Sequence, residues 1–129
     1  MLIPDLDTPA VIVDLDVMER NISRMGDYCR EHQLLLRPHT KTHKIPELAK
    51  RQIAGGATGI TVAKISEAEV MLDAGINDIL IAYPIVGPTK TARLARLAEK
   101  RRSVSHSIPR KSRVVFPKLP QATEQRSGS

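Results

Sequence analysis

Three short apolar runs limit what this chain can fold into. They read LLLR (34–37), TGITVA (58–63) and DILIAY (78–83), and their starts lie 24 and 20 residues apart. That spacing leaves room for one helix and two turns between successive strands. It is the rhythm of βα units with right-handed crossovers and a parallel sheet. The unalternating Leu34-Leu35-Leu36 predicts a strand buried on both faces, as parallel strands are.

The intervening segments carry helical signals. Residues 10–13 (AVIV) read as a further, earlier strand. Asp14 and Asp16 then offer N-cap oxygens to a helix running to about Glu31, with Val17, Met18, Ile22, Met25 and Cys29 at helical spacing. A second helix is predicted from about Ile45-Pro46 to Ile53. Pro46 falls in its first turn, and Gly55-Gly56 closes it. Ser66 is the expected cap of a third helix, with Glu67 and Glu69 in its first turn and Gly75 after it. A fourth runs from Thr89 to about Arg102, with Leu94, Leu97 and Ala98 along one side. The resulting order is βαβαβαβα.

Composition changes sharply along the chain. Residues 1–90 carry a net charge of −2 and residues 91–129 a net charge of +8, which together give the +6 of the 129-residue whole. The basic character therefore belongs to the end of the chain. From Ser103 onward the sequence is rich in Ser and Pro, and it is expected to be a disordered basic tail spanning 103–129. The organised domain is placed at 1–102. Aromatic residues make up 2% of the chain, so the core is aliphatic. No stretch approaches the roughly 20 apolar residues of a membrane-spanning helix. The N-terminus lacks the basic and apolar regions of a secretory signal. The expectation is a cytoplasmic protein without membrane attachment. Cys29 is the single cysteine, so neither an internal disulfide nor a cysteine-based metal cluster can form.

The candidate site is LRPHTKTHK, residues 36–44. It places Arg37, His39, Lys41, His43 and Lys44 directly behind an apolar run. A solvated basic loop would look similar. Position favours a site, because loops that follow parallel strands lie at the carboxyl edge of the sheet, where α/β proteins bind ligands. If the chain stays extended through Pro38, period 2 puts Leu35, Arg37, His39 and Lys41 on one side. Lys41 would then point into a barrel mouth, and a partly desolvated lysine beside other cations is a nucleophilic amine suited to Schiff-base chemistry. His39 and His43 are four apart and could share a metal only on a helix, and no third ligand is evident. Tyr83, at the end of the last strand, is either a ligand-facing residue or an aromatic closing the sheet. The basic segment 90–118 could attract phosphates, but apart from Phe116 it lacks stacking aromatics and it carries no nucleic-acid-binding motif. A solvated helix face with a tail is the preferred reading there.

The string RPHTKTHK, preceded by DTPAVIVDLDVMERNI and followed by TGITVAKISEAEVMLDAGINDILIAYPIVG, resembles the N-terminal part of D-threonine aldolases and D-serine dehydratases. These are fold-type III pyridoxal-phosphate enzymes related to alanine racemase. The resemblance covers about residues 4–101. It implies a (β/α)8 barrel that binds pyridoxal 5'-phosphate, of which this chain would supply the early strand and helix and about three βα units. It also implies a small amino acid as substrate and homodimers among full-length relatives. The first lysine of the signature, Lys41, would form the Schiff base with the cofactor. Arg37, His39, His43 and Tyr83 are the accompanying cofactor-site candidates, and Lys44 would stand outside the chemistry.

A complete barrel takes roughly 250 residues. The His and Cys ligands of the divalent metal in full-length relatives would lie beyond this chain. The expectation is thus a truncated lyase with little or no activity of its own. The alternative is a non-catalytic binding protein whose basic C-terminal segment contacts nucleic acid or an acidic partner.

Overall fold

The computed structural model describes residues 5–105. Their order is α1 (Leu15–Glu31), α2 (Pro46–Ala54), β1 (Ile60–Val62), α3 (Ile65–Asp73), β2 (Ile79–Ile81) and α4 (Pro88–Ser105). β1 and β2 pair in parallel, with Ile60 opposite Ile79 and Val62 opposite Ile81. The fold class is α/β. The tail expected over 103–129 lies almost wholly outside the described residues. No helix among them is long and apolar enough to cross a membrane.

The helices begin and end where local chemistry dictates. The Asp14 carboxylate accepts the Val17 N–H at 2.9 Å and caps α1. Asp14→Ala is expected to lower stability by about 1 kcal/mol, read from the midpoint of a urea unfolding curve. Pro46 opens α2, where its missing N–H is no loss. Gly55 ends that helix, and Gly56 follows at φ +111°, a conformation that favours glycine.

The start of α3 corrects the expected Ser66 cap. The N-cap is Lys64, whose side chain makes no capping bond. Instead the Glu67 carboxylate reaches back to the Ala63 N–H at 2.8 Å. A first-turn carboxylate thus does the work that a hydroxyl was expected to do.

The core gathers between the two strands and α3. Ile60, Val62, Ile79 and Ile81 meet Ala68, Met71, Leu72 and Ile76, all buried. Leu94 and Leu97 of α4 cover part of this cluster, as does Ile53 of α2. All three residues of β1 are buried, as the parallel arrangement requires. α1 packs elsewhere, through Gly26, against the end of α2. A Cβ on Gly26 would stand 1.9 Å from the Gly55 carbonyl oxygen, so only glycine permits this approach. Cys29, on the same helix, is buried and free.

Two expected strands are corrected. Residues 10–13 form no strand, and Val11 is fully exposed. Residues 34–37 form no regular strand either, and Leu34 and Leu35 are 54% and 84% exposed rather than buried. A strand exists only where a neighbour completes its hydrogen bonds, and the apolar composition of these segments does not supply one.

Residues 36–40 do lie along β1, but irregularly. The Leu36 carbonyl accepts the Thr58 N–H at 2.9 Å and the Pro38 carbonyl accepts the Thr61 N–H at 2.8 Å. Between these bonds the single residue Arg37 opposes two residues, Gly59 and Ile60, which is the count of a bulge. The Ile60 N–H turns away to the Asp78 carbonyl. Pro38 has no N–H to give the ladder. His39 alone forms a parallel bridge with Thr61.

Candidate functional site

The site is built around the turn that follows this bridge. Thr40 is fully buried. Its N–H and hydroxyl both donate to the Thr61 carbonyl, at 2.8 Å and 3.2 Å. Its own carbonyl accepts the Lys44 N–H at 2.8 Å. Lys44 takes φ +54°, which turns the chain toward α2. Thr40 to Lys44 is therefore a closed turn fastened to the middle of β1, and Lys41 stands within it, exposed. The Lys41 N–H donates to Nδ1 of His39 at 3.3 Å. No ion pair among the described residues involves the Lys41 amine.

The expected alignment of Arg37 with Lys41 does not occur. Arg37 runs to the opposite, amino edge of the sheet. There its guanidinium donates to Asp78 Oδ1 at 2.7 Å and leans on the Asp78 carbonyl at 3.3 Å. It also fills the space beside Gly59, where a Cβ would come within 2.3 Å of it. The irregular ladder is the reason: the chain turns at Thr40 instead of continuing with period 2. Arg37 thus ties residues 36–40 to the start of β2.

The remaining candidates fall at separate places. His39 lies beside Lys41 through the bond just described. The His43 Nδ1 accepts the Ile45 N–H at 3.0 Å, which leaves the proton of a neutral ring on Nε2. That Nε2 is buried and finds no partner among the described residues, as does Oε1 of Gln52. Both residues line an open groove of about 470 Å³ between the segment at Ile12–Asp14, α1 and α2. Tyr83 is half exposed just past β2, with the Lys90 ammonium 5.8 Å from its ring centre. It contacts Lys90 rather than Lys41. Among the described residues no three His, Cys, Asp or Glu side chains gather as metal ligands.

Four of the pairings among the described residues were not read from the sequence. One is Arg37 with Asp78. A second is Lys44 with Glu67, at 3.6 Å, the carboxylate buried and the lysine half exposed. The other two join α4 to α3: Arg93 meets Glu69 at 2.5 Å and Lys100 meets Asp73 at 2.5 Å. The hydrogen bonds that Arg93 donates to Glu69, and then the Glu69 charge, raise the Arg93 pKa, with desolvation opposing. A raised pKa stabilises the fold below the unfolded value and loses that effect only above the folded one. For arginine both lie above any working pH, so this pair is constant. These basic residues of α4 are engaged within the chain, which weakens the case for a phosphate-binding face there. Acidic residues four apart on one predicted helix and basic residues seven apart on the next, one and two helical turns, were the available signal.

Comparison with known proteins locates the chain. Residues 13–113 match the family model described as alanine racemase, N-terminal domain. D-threonine aldolase of an Arthrobacter species is 47% identical over 93 residues, covering 72% of this chain and 24% of the relative. D-threo-3-hydroxyaspartate dehydratase of a Delftia species is 51% identical over 77 residues, covering 60% of this chain and 20% of the relative. The crystal structure of D-threonine aldolase from Filomicrobium marinum superposes with a TM-score of 0.73 at 51% identity, over 76% of this chain and 27% of that one. The chain thus spans about a quarter of the length of these relatives.

Proposed function

Because the chain belongs to the alanine racemase N-terminal domain family, we propose that it holds pyridoxal phosphate through the Lys41 amine, as part of a lyase acting on D-amino or 3-hydroxy amino acids. On this reading its βα units open a (β/α)8 barrel. The observation that carries the proposal is the Thr40–Lys44 turn. It presents Lys41 exposed, with no ion pair to its amine among the described residues, beyond a bridge to a buried parallel strand. The relatives named above, an aldolase and a dehydratase, support the substrate class.

The donor set fits the aldehyde end of the cofactor. A primary amine without an anionic partner is what a carbonyl carbon takes up. When bound, pyridoxal phosphate supplies that aldehyde and a ring that draws off the electrons of a bond broken beside the amino carbon.

The chain's own residues position the amine. Thr40 fixes the turn to Thr61 from inside the core. His39 accepts the Lys41 N–H and so limits the rotation of its backbone. Arg37 anchors the preceding segment to Asp78 at the far edge. On the same reading Tyr83 and His43 are the further cofactor-site candidates, each set apart from Lys41, beside Lys90 and on the groove along α1. Aldol cleavage and dehydration diverge through groups outside these residues. The reading therefore assigns capture of the cofactor to this chain, with little turnover by it alone.

Substrate class is tested by protection. The chain is loaded with pyridoxal phosphate, exposed to an amino acid, reduced with borohydride, and Lys41 modification is read by peptide mass. An amino acid that displaces Lys41 leaves it unmodified. D-threonine and D-serine are expected to protect Lys41 at concentrations where their L-enantiomers do not. Equal protection by both enantiomers would refute the D-amino acid assignment.

A further inference from the structure

The turn that carries Lys41 also carries Lys44, three residues on, and the cofactor reading needs one of the two to react. We propose that Glu67 makes the choice, as a positioning residue that occupies Lys44 and leaves Lys41 as the carbonyl-reactive amine of the turn. The inference deepens the proposed function by naming what selects its lysine, but it stands on separate observations.

Glu67 is a buried carboxylate, 7% exposed, on the first turn of α3. Burying a carboxylate is costly unless its oxygens are satisfied. One oxygen accepts the Ala63 N–H at 2.8 Å, and the other faces the Lys44 ammonium at 3.6 Å. The Ala63 bond caps α3 and explains one oxygen. It does not explain the other.

Lys44 is delivered to this carboxylate by its backbone. Its N–H is bonded to the Thr40 carbonyl and its φ is +54°. The same bond closes the loop around Lys41, so holding Lys44 also holds the turn. The two lysines thus differ in kind. The Lys44 nitrogen faces an anion, while the Lys41 nitrogen has no ion pair among the described residues. An amine attacks a carbonyl carbon through its lone pair. The C–N bond forms, the C=O pair passes to oxygen, and one water is lost to give an imine. To attack, the Lys44 nitrogen must give up its place beside the Glu67 carboxylate, whereas the Lys41 nitrogen leaves no such partner among the described residues.

The test uses a carbonyl probe that needs no cofactor pocket. The chain is treated with formaldehyde and cyanoborohydride, whose hydride reduces each imine to a methylated amine. Rates at Lys41, Lys44 and the exposed Lys50 are followed by peptide mass. In the folded chain Lys44 is expected to react about threefold more slowly than Lys41, the scale of a partly exposed ion pair. In denaturant the two rates should converge. Glu67→Gln keeps an acceptor for the Ala63 N–H but removes the charge. In that variant Lys44 should rise toward the rate of Lys41 while Lys50 stays unchanged.

Equal rates at Lys41 and Lys44 in the folded wild-type chain overturn the inference, as does a Glu67→Gln variant that keeps its helical circular dichroism and its slow Lys44. If that variant fails to fold, the wild-type comparison between folded and denatured chain decides alone. Pyridoxal phosphate labelling of the same samples separates the two claims. With the predicted formaldehyde rates, labelling that avoids Lys41 refutes the cofactor reading and leaves Glu67 as the selector. Labelling of Lys41 that spreads to Lys44 in Glu67→Gln supports both.

Discussion

Replacing Gly26 by alanine is expected to destabilise the chain by about 2–3 kcal/mol, against the direction that helix propensity predicts. At an open position in a helix, Gly→Ala gains about 1 kcal/mol. Here the new methyl carbon would stand 1.9 Å from the Gly55 carbonyl oxygen, and both atoms belong to relatively stiff backbone. α1 must retreat from the end of α2, which strains the Glu19–Arg51 pair and opens the contact of Ile22 with Gly55. Overpacking of this kind costs about 1–3 kcal/mol, occasionally more, and outweighs the propensity gain. Urea unfolding followed by circular dichroism measures it. A variant as stable as the parent, or more stable, would mean that α1 does not approach α2 as described.

Arg37→Ala carries the second large effect, about 2–3 kcal/mol. Its partner Asp78 has a side chain only 15% exposed, and Arg37 itself is 23% exposed. Removing one member of a well-buried pair costs about 3–5 kcal/mol, because the remaining charge stays desolvated. The residual exposure of both groups reduces that figure. Adding Asp78→Asn removes the stranded charge, so the double variant should lose less than the two single variants summed. Strict additivity would show that the two side chains do not interact. The variant matters to the site as well as to stability. Arg37 fastens the segment that leads to Lys41, so modification of Lys41 should lose its preference over Lys50.

How much of this was legible in the sequence depended on how local the cause was. Asp14 announced α1 because an N-cap acts over three residues. Gly55 marked the end of α2 for the same reason. TGITVA and DILIAY paired as expected because each is apolar enough to be buried on both faces. AVIV and LLLR carried the same composition and failed as strands. Pairing depends on neighbours, Pro38 removes a donor, and the bulge at Gly59 is invisible until β1 is in place. The turn at Thr40 then ended the extended run that would have set Arg37 beside Lys41.

Within the site, Lys41 was legible as one lysine in a basic turn after an apolar run. What holds it was not. Glu67 lies 23 residues from Lys44, and Asp78 lies 41 residues from Arg37, separations at which no local pattern operates. Glu67 read as a first-turn acid on α3, which it is. That its second oxygen reaches another turn follows only from the packing of α3 on β1.

The central claim is that one lysine of this turn captures the cofactor, and one measurement bears on it most directly. The 129-residue chain is incubated with pyridoxal phosphate, reduced with borohydride, digested, and every lysine read by mass, with Lys41→Ala in parallel. The account predicts close to one label per chain, confined to Lys41, and none in the variant. Label scattered over the exposed lysines, or equal labelling of the variant, would contradict it.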